Sequence, residues 1–163
     1  MGLAFPAQAA LVGHWSWDGT YTDISGNGLG GSPNAQASLS NTIPYLLLAQ
    51  GTGQSLQLNG SAWVEVSANP ALNSNVFTLA LWFNQNGQTQ PGSYSRLTSR
   101  GGDTFEIGVN GAGRVAYYPG PNWQDTQYNL PSSGWRHLAF VSNGSQLTLY
   151  VNGQAVATGP FSG

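Results

Sequence analysis

The sequence contains no cysteine and no lysine. Without cysteine there is no disulfide, no thiolate nucleophile and no Cys-ligated zinc or iron–sulfur centre. The cations are Arg96, Arg100, Arg114 and Arg136, and charged residues make up 6% of the 163. A typical globular chain carries about 25%. With a net charge of -2, a basic nucleic-acid surface, a polybasic membrane anchor and an acidic tail are all excluded. No apolar run of about 18 residues exists, so no transmembrane helix is expected. Helical periodicity is missing too: every window of about 11 residues is interrupted by Gly or Pro or lacks a 3.6 period.

What is present is neutral and polar. Ser, Thr, Asn and Gln make up a third of the chain. Six Trp, seven Tyr and six Phe, with 40% hydrophobic residues overall, suffice for the core of one domain. The 23 Gly and 9 Pro therefore indicate turns rather than disorder.

Six Asn-Gly pairs occur, starting at Asn27, Asn59, Asn86, Asn110, Asn143 and Asn152. Asn-Gly is the preferred type I′ hairpin loop, because both residues tolerate positive φ. The segments between these pairs read as strands. Ser55–Asn59 and Ala62–Val66 alternate. Val76–Asn84 is apolar on both faces, which predicts a central strand covered on both sides. Phe105–Val109 with Arg114–Tyr118, and Trp135–Ser142 with Gln146–Val151, read as hairpins; Ala155–Thr158 follows. The apolar run Pro44–Gln50 fits a strand at least as well as a helix. Trp15, Trp82 and Trp135, lying in apolar strands, are expected in the core. Evenly spaced strands with frequent turns predict an all-β, antiparallel sandwich or jelly roll. At the N-terminus, Ala7-Gln8-Ala9 has the small-x-small form of a signal cleavage site. Residues 1–10 are expected to be a signal remnant or tail, and 11–163 the domain.

Three segments carry a resemblance. Leu11-Val12-Gly13-His14-Trp15-Ser16-Trp17-Asp18-Gly19 with Thr22-Asp23-Ile24-Ser25-Gly26-Asn27-Gly28 resembles the opening of a LamG-like domain. Phe77-Thr78-Leu79-Ala80-Leu81-Trp82-Phe83 is similar to its central strand. Trp135-Arg136-His137-Leu138-Ala139-Phe140-Val141, then Leu147 to Gly153, is similar to its late hairpin. Order and spacing agree over most of residues 11–158. The resemblance, to the concanavalin A-like lectin/glucanase superfamily, implies a jelly-roll β-sandwich of two curved antiparallel sheets. Such domains usually continue with further strands after this hairpin. This sequence stops at Gly163, which leaves three expectations open: a trimmed fold, a C-terminally truncated fragment, or an open sheet edge that invites self-association by strand addition.

Catalytic signals are weak. A retaining glycosidase needs two carboxyls about 5 Å apart, and the glucanases carry a Glu-x-Asp-x-x-Glu strand. Here the only Glu are Glu65 and Glu106, and neither stands in that pattern. Asp103 and Glu106 fall on opposite faces of an extended strand; the plain reading is a turn residue and a solvated strand position. No Gly-x-Ser-x-Gly elbow is present. His14 and His137 give no zinc spacing.

Two binding sites are expected. Asp18, Asp23, Ser25 and Asn27 lie in one Gly-rich loop and offer oxygens suited to calcium (Ca2+). LamG-like domains often hold calcium near this loop with a late acid, which is missing here. The competing explanation is that Asp23 and Asn27 cap the loop through Asx-turns. For sugar, Tyr117, Tyr118, Asn122, Trp123 and Asp125 combine aromatic faces with hydroxyl-binding groups in a Pro/Gly-rich margin, with Tyr128 and Tyr94 as further candidates; the competing explanation is that Trp123 folds back to close the sandwich. The expected function is non-catalytic binding of carbohydrate or glycoconjugate, secreted or at a cell surface, with calcium. The alternative is a self-associating homo-oligomeric subunit of an extracellular assembly. Neither nucleic acid nor membrane insertion is expected.

Overall fold

The computed structural model describes residues 10–45, 53–86, 94–101 and 104–162. The Ala7-Gln8-Ala9 sequence, Asp103 and most of the Pro44–Gln50 run lie outside the described residues. The chain divides into two compact units, Met1–Ile43 with Leu47–Leu72, and Pro44–Leu46 with Asn73–Gly163. The fold is all-β, an antiparallel sandwich of the jelly-roll class.

The first unit is held by short antiparallel pairs. β1 (Gly31–Pro33) pairs with β4 (Val64–Val66), and β2 (Ser38–Ser40) with β3 (Ser55–Gln57). A Cβ at Gly31 would collide with the Val64 side chain, so glycine permits the close β1–β4 approach. The indole N–H of Trp15 donates to the Leu29 carbonyl at 2.7 Å. Trp15 is half-buried. Trp63 is exposed.

The second unit contains two four-stranded sheets. One has the order β12 (Gln154–Pro160), β11 (Gln146–Val151), β10 (Arg136–Asn143), β5 (Val76–Phe83). The other has the order β6 (Ser95–Ser99), β7 (Glu106–Val109), β8 (Arg114–Tyr118), β9 (Gln124–Asn129). All pairings are antiparallel. Alternation places one side of each strand inward. Ile107 and Val115 from one sheet meet Leu138, Phe140, Leu147 and Leu149 from the other, all fully buried. Burying each such side chain stabilises by roughly 1.5–3 kcal/mol. Phe77, Phe105 and Phe161 meet edge to face, with centroids 5.0–5.7 Å apart, and the Arg100 guanidinium lies 5.4 Å from the Phe105 ring centre.

Two expectations need correction. β5 is an edge strand, bonded only to β10 among the described strands. Its inward residues Phe77, Leu79, Leu81 and Phe83 pack on the core. Trp82 has the opposite parity and is 37% exposed on the other face, so it is not a core residue. Trp135 is half-buried. Of the Asn-Gly pairs, Asn152-Gly153 forms the expected loop, with φ of 49° and 82° between Val151 and Gln154. The β7–β8 turn is longer: Asn110 Oδ1 accepts from the N–H groups of Ala112 and Arg114, and Gly113 takes the positive φ.

Candidate functional site

Glu106, Ile107, Gly108 and Val109 alternate along β7. Ile107 and Val109 enter the core, so Glu106 and Gly108 face away from it. Gly108 is buried even so. Trp123, just before β9, lies over it: a Cβ built on Gly108 would sit 3.2 Å from the indole and 2.8 Å from the Ser95 carbonyl. The Trp123 ring stacks on Tyr94, with centroids 4.0 Å apart and planes 5° from parallel. Tyr118 tilts against Trp123 at 5.7 Å. Three rings from three places in the chain thus converge on the far side of the β6–β9 sheet.

Polar groups flank the rings. Arg96, the register partner of Gly108, donates Nε–H to Glu106 Oε2 at 2.6 Å. The arginine side chain is 58% exposed and the glutamate side chain 6%. Ser99 Oγ donates to the other Glu106 oxygen at 3.3 Å. Glu106 is therefore not the solvated strand position expected; it is a buried carboxylate anchoring an exposed guanidinium. On the next strands, Asp125 pairs with Ala116. Its carboxylate accepts from Asn110 Nδ2 at 3.1 Å and Arg114 at 3.3 Å, and Arg114 also donates to Gln127 Oε1 at 2.8 Å.

The expected sugar-binding residues separate by parity. Trp123 and Tyr118 sit together, and Tyr94 completes the cluster. Asn122 is exposed beside Trp123. Asp125 is half-buried in the Arg114–Asn110 network. Tyr117 is corrected: it is 3% exposed in the core, and its hydroxyl donates to the Pro160 carbonyl at 3.0 Å. Burial pushes its phenol pKa up, so it remains a donor at neutral pH. Tyr128 is corrected too, since it packs against the same core. Arg96 and Glu106 were missed as a pair, because no local spacing signals a contact made across two strands.

As folded, the Asp18–Asn27 loop does not turn the expected oxygen set toward a calcium ion. Both Asp23 oxygens are occupied by protein donors. Oδ1 accepts from the His14 and Ser25 N–H groups at 2.9 Å each. Oδ2 accepts from Ser25 Oγ at 2.8 Å and Leu29 N at 3.0 Å. The His14 N–H is the largest influence holding this carboxyl well below the usual range; burial opposes it, and the Ser25 and Leu29 bonds reinforce it. Asn27 turns Nδ2 toward the Leu11 and Val12 carbonyls. Asp18 accepts from Gln54 N instead. Calcium wants six to eight oxygens. Among the described residues, no three His, Asp or Glu gather as a metal cluster.

The pattern of the Laminin_G_3 family, described as concanavalin A-like lectin/glucanases superfamily, matches residues 58–163. No curated protein matches in sequence. Among solved structures, the chain is similar to domain 4 of AbnA, a GH43 extracellular arabinanase from Geobacillus stearothermophilus, solved with arabinotriose. The TM-score is 0.69 at 20% identity, covering 96% of this chain and 81% of that one. It is also similar to the binding domain of botulinum neurotoxin serotype C1, with a TM-score of 0.55 at 11% identity, covering 93% of this chain and 39% of that one. At these identities the likeness is one of fold.

Proposed function

Because the chain belongs to the Laminin_G_3 family of the concanavalin A-like lectin/glucanases superfamily, we propose that it binds neutral carbohydrate without cleaving it. The observation that carries this reading is the ring cluster of Trp123, Tyr94 and Tyr118 beside the exposed Arg96. A sugar ring has apolar C–H faces and a rim of hydroxyls. Fixed aromatic faces match the first, and planar charged or amide groups match the second. In this reading Arg96, held by Glu106, and the exposed Asn122 would meet hydroxyls.

Binding without cleavage is supported by the state of Glu106. Its carboxylate is engaged by Arg96 and Ser99, whereas a glycosidase acid needs a second carboxyl as its working partner. The AbnA domain was solved with arabinotriose, which makes arabino-oligosaccharides the first probes. An extracellular location belongs to the same reading, supported by the likeness to a domain of an extracellular enzyme. Among the described residues, no helix is long and apolar enough to cross a membrane.

Calorimetric titration of the purified chain with arabinotriose, xylotriose and cellotriose tests the proposal. Saturable binding to at least one is expected, reduced roughly tenfold or more in Trp123→Ala, since losing one aromatic contact removes on the order of 1.4 kcal/mol. Equal affinity in wild type and Trp123→Ala would remove the ring cluster as the site.

A further inference from the structure

The opposite sheet carries a second aromatic group on its face away from the core. Trp82 of β5 and His137 of β10 are register partners. Their rings meet edge on, with centroids 5.3 Å apart. With Tyr45, Trp135 and Asn152 they line a recess of about 640 Å³, within the roughly 300–1,000 Å³ of small-ligand clefts. None of these residues belongs to the Trp123 cluster.

Its chemistry restricts the occupant. Among the described residues, no Asp, Glu, Lys or Arg lines it, so an anion or cation would lose hydration without gaining a countercharge from them. The walls are two indoles and a phenol. The polar groups are few, and one of them is fixed. Asn152 is held by its turn conformation, with φ of 49°. Its Oδ1 accepts the His137 N–H at 3.0 Å and its own N–H donates to the His137 carbonyl at 2.8 Å. Asn152 Nδ2, the His137 ring nitrogens and the Tyr45 hydroxyl have no hydrogen-bond partner among the described residues. A purely apolar ligand would strip water from these groups and satisfy none of them. An uncharged ring with apolar faces and hydroxyl edges satisfies both halves of the lining.

We propose that this recess is a second carbohydrate site, taking an uncharged sugar residue against Trp82 and making the domain bivalent. The proposal rests on the carbohydrate reading above but uses none of its residues. Bivalency matters because two modest sites on one polysaccharide chain raise apparent affinity without any new contact.

The test is fluorine NMR of the chain labelled with 5-fluorotryptophan, whose six tryptophan signals are assigned by single Trp→Phe substitutions. Arabinotriose, xylotriose and cellotriose are titrated in turn. With at least one, the Trp82 and Trp135 signals move saturably. In Trp123→Ala they move with a dissociation constant unchanged within about two-fold, as independent sites require. Trp82→Ala abolishes the Trp135 response, and dispersion of the remaining signals reports that the variant is folded; Trp82→Phe keeps a ring and weakens the response less. Static Trp82 and Trp135 signals while the Trp123 signal moves overturn the recess and leave the ring cluster standing. The reverse pattern supports the recess and overturns the ring cluster. No movement in any signal overturns both.

Discussion

Gly108→Ala disturbs the ring cluster without touching a ring. An added Cβ would lie 2.8 Å from the Ser95 carbonyl oxygen and 3.2 Å from Trp123. The first distance is shorter than real Cβ contacts, and the neighbour is backbone, so β6 must move from β7 or the peptide must tilt. Overpacking of this kind costs about 1–3 kcal/mol. For a chain of this size each kcal/mol lowers Tm by roughly 2–4 °C. A fall of about 4–8 °C is therefore expected near the middle of that range. The indole must also shift by a few tenths of an ångström, misaligning it with Tyr94 and weakening sugar binding. Differential scanning calorimetry and titration with the best-binding trisaccharide read the two effects. Gly30→Ala is the control, because a Cβ there meets nothing within 4 Å. If Gly108→Ala melts and binds like Gly30→Ala, the close approach of β6, β7 and Trp123 is refuted.

Asp23 predicts an acid limb. An unfolded Asp takes up a proton near pH 3.8, while in the folded loop the His14, Ser25 and Leu29 donors keep the carboxylate charged to lower pH. Its stabilisation is thus complete above that value and is lost as pH falls through the folded value. Tm measured from pH 7 down to pH 2 should fall less steeply in Asp23→Asn than in wild type, and parallel curves would contradict this. Calcium should leave Tm unchanged relative to chelator, since ligand binding to the native state must raise it; a saturable calcium-dependent rise would show that the loop rearranges around the ion.

The sandwich was legible where strands alternate. Phe105–Val109, Arg114–Tyr118 and Gln146–Val151 each became strands within a residue or so, because their apolar parity has one solution against a core. The same rule, applied strictly, separates Tyr117 from Tyr118 and Trp82 from Leu81. Treating Tyr117-to-Asp125 as a loop margin obscured it. β9 was hidden because Gln124–Asn129 is almost wholly polar; its strand state comes from pairing with β8, not from its own pattern. β6 was hidden likewise, since Ser-Arg-Leu-Thr-Ser has one apolar residue. The Asx geometry of Asp23 was legible from its spacing to Ser25. That it saturates the carboxylate was not, because the donors from His14 and Leu29 lie outside the spacing.

The last strand is fastened in a way that bears on exchange between molecules. Tyr117 ties its hydroxyl to the Pro160 carbonyl. A side chain at Gly159 would strike that hydroxyl. Phe161 then plugs in beside Phe77 and Phe105, its N–H bonded to Ser145. Peeling β12 away to swap it with a neighbour would mean unplugging a phenylalanine and stranding a buried phenol. Because Phe161 turns its N–H toward β11, the neighbouring Pro160 carbonyl turns to the outer rim, so the Tyr117 bond also takes up an acceptor that a visiting strand would need.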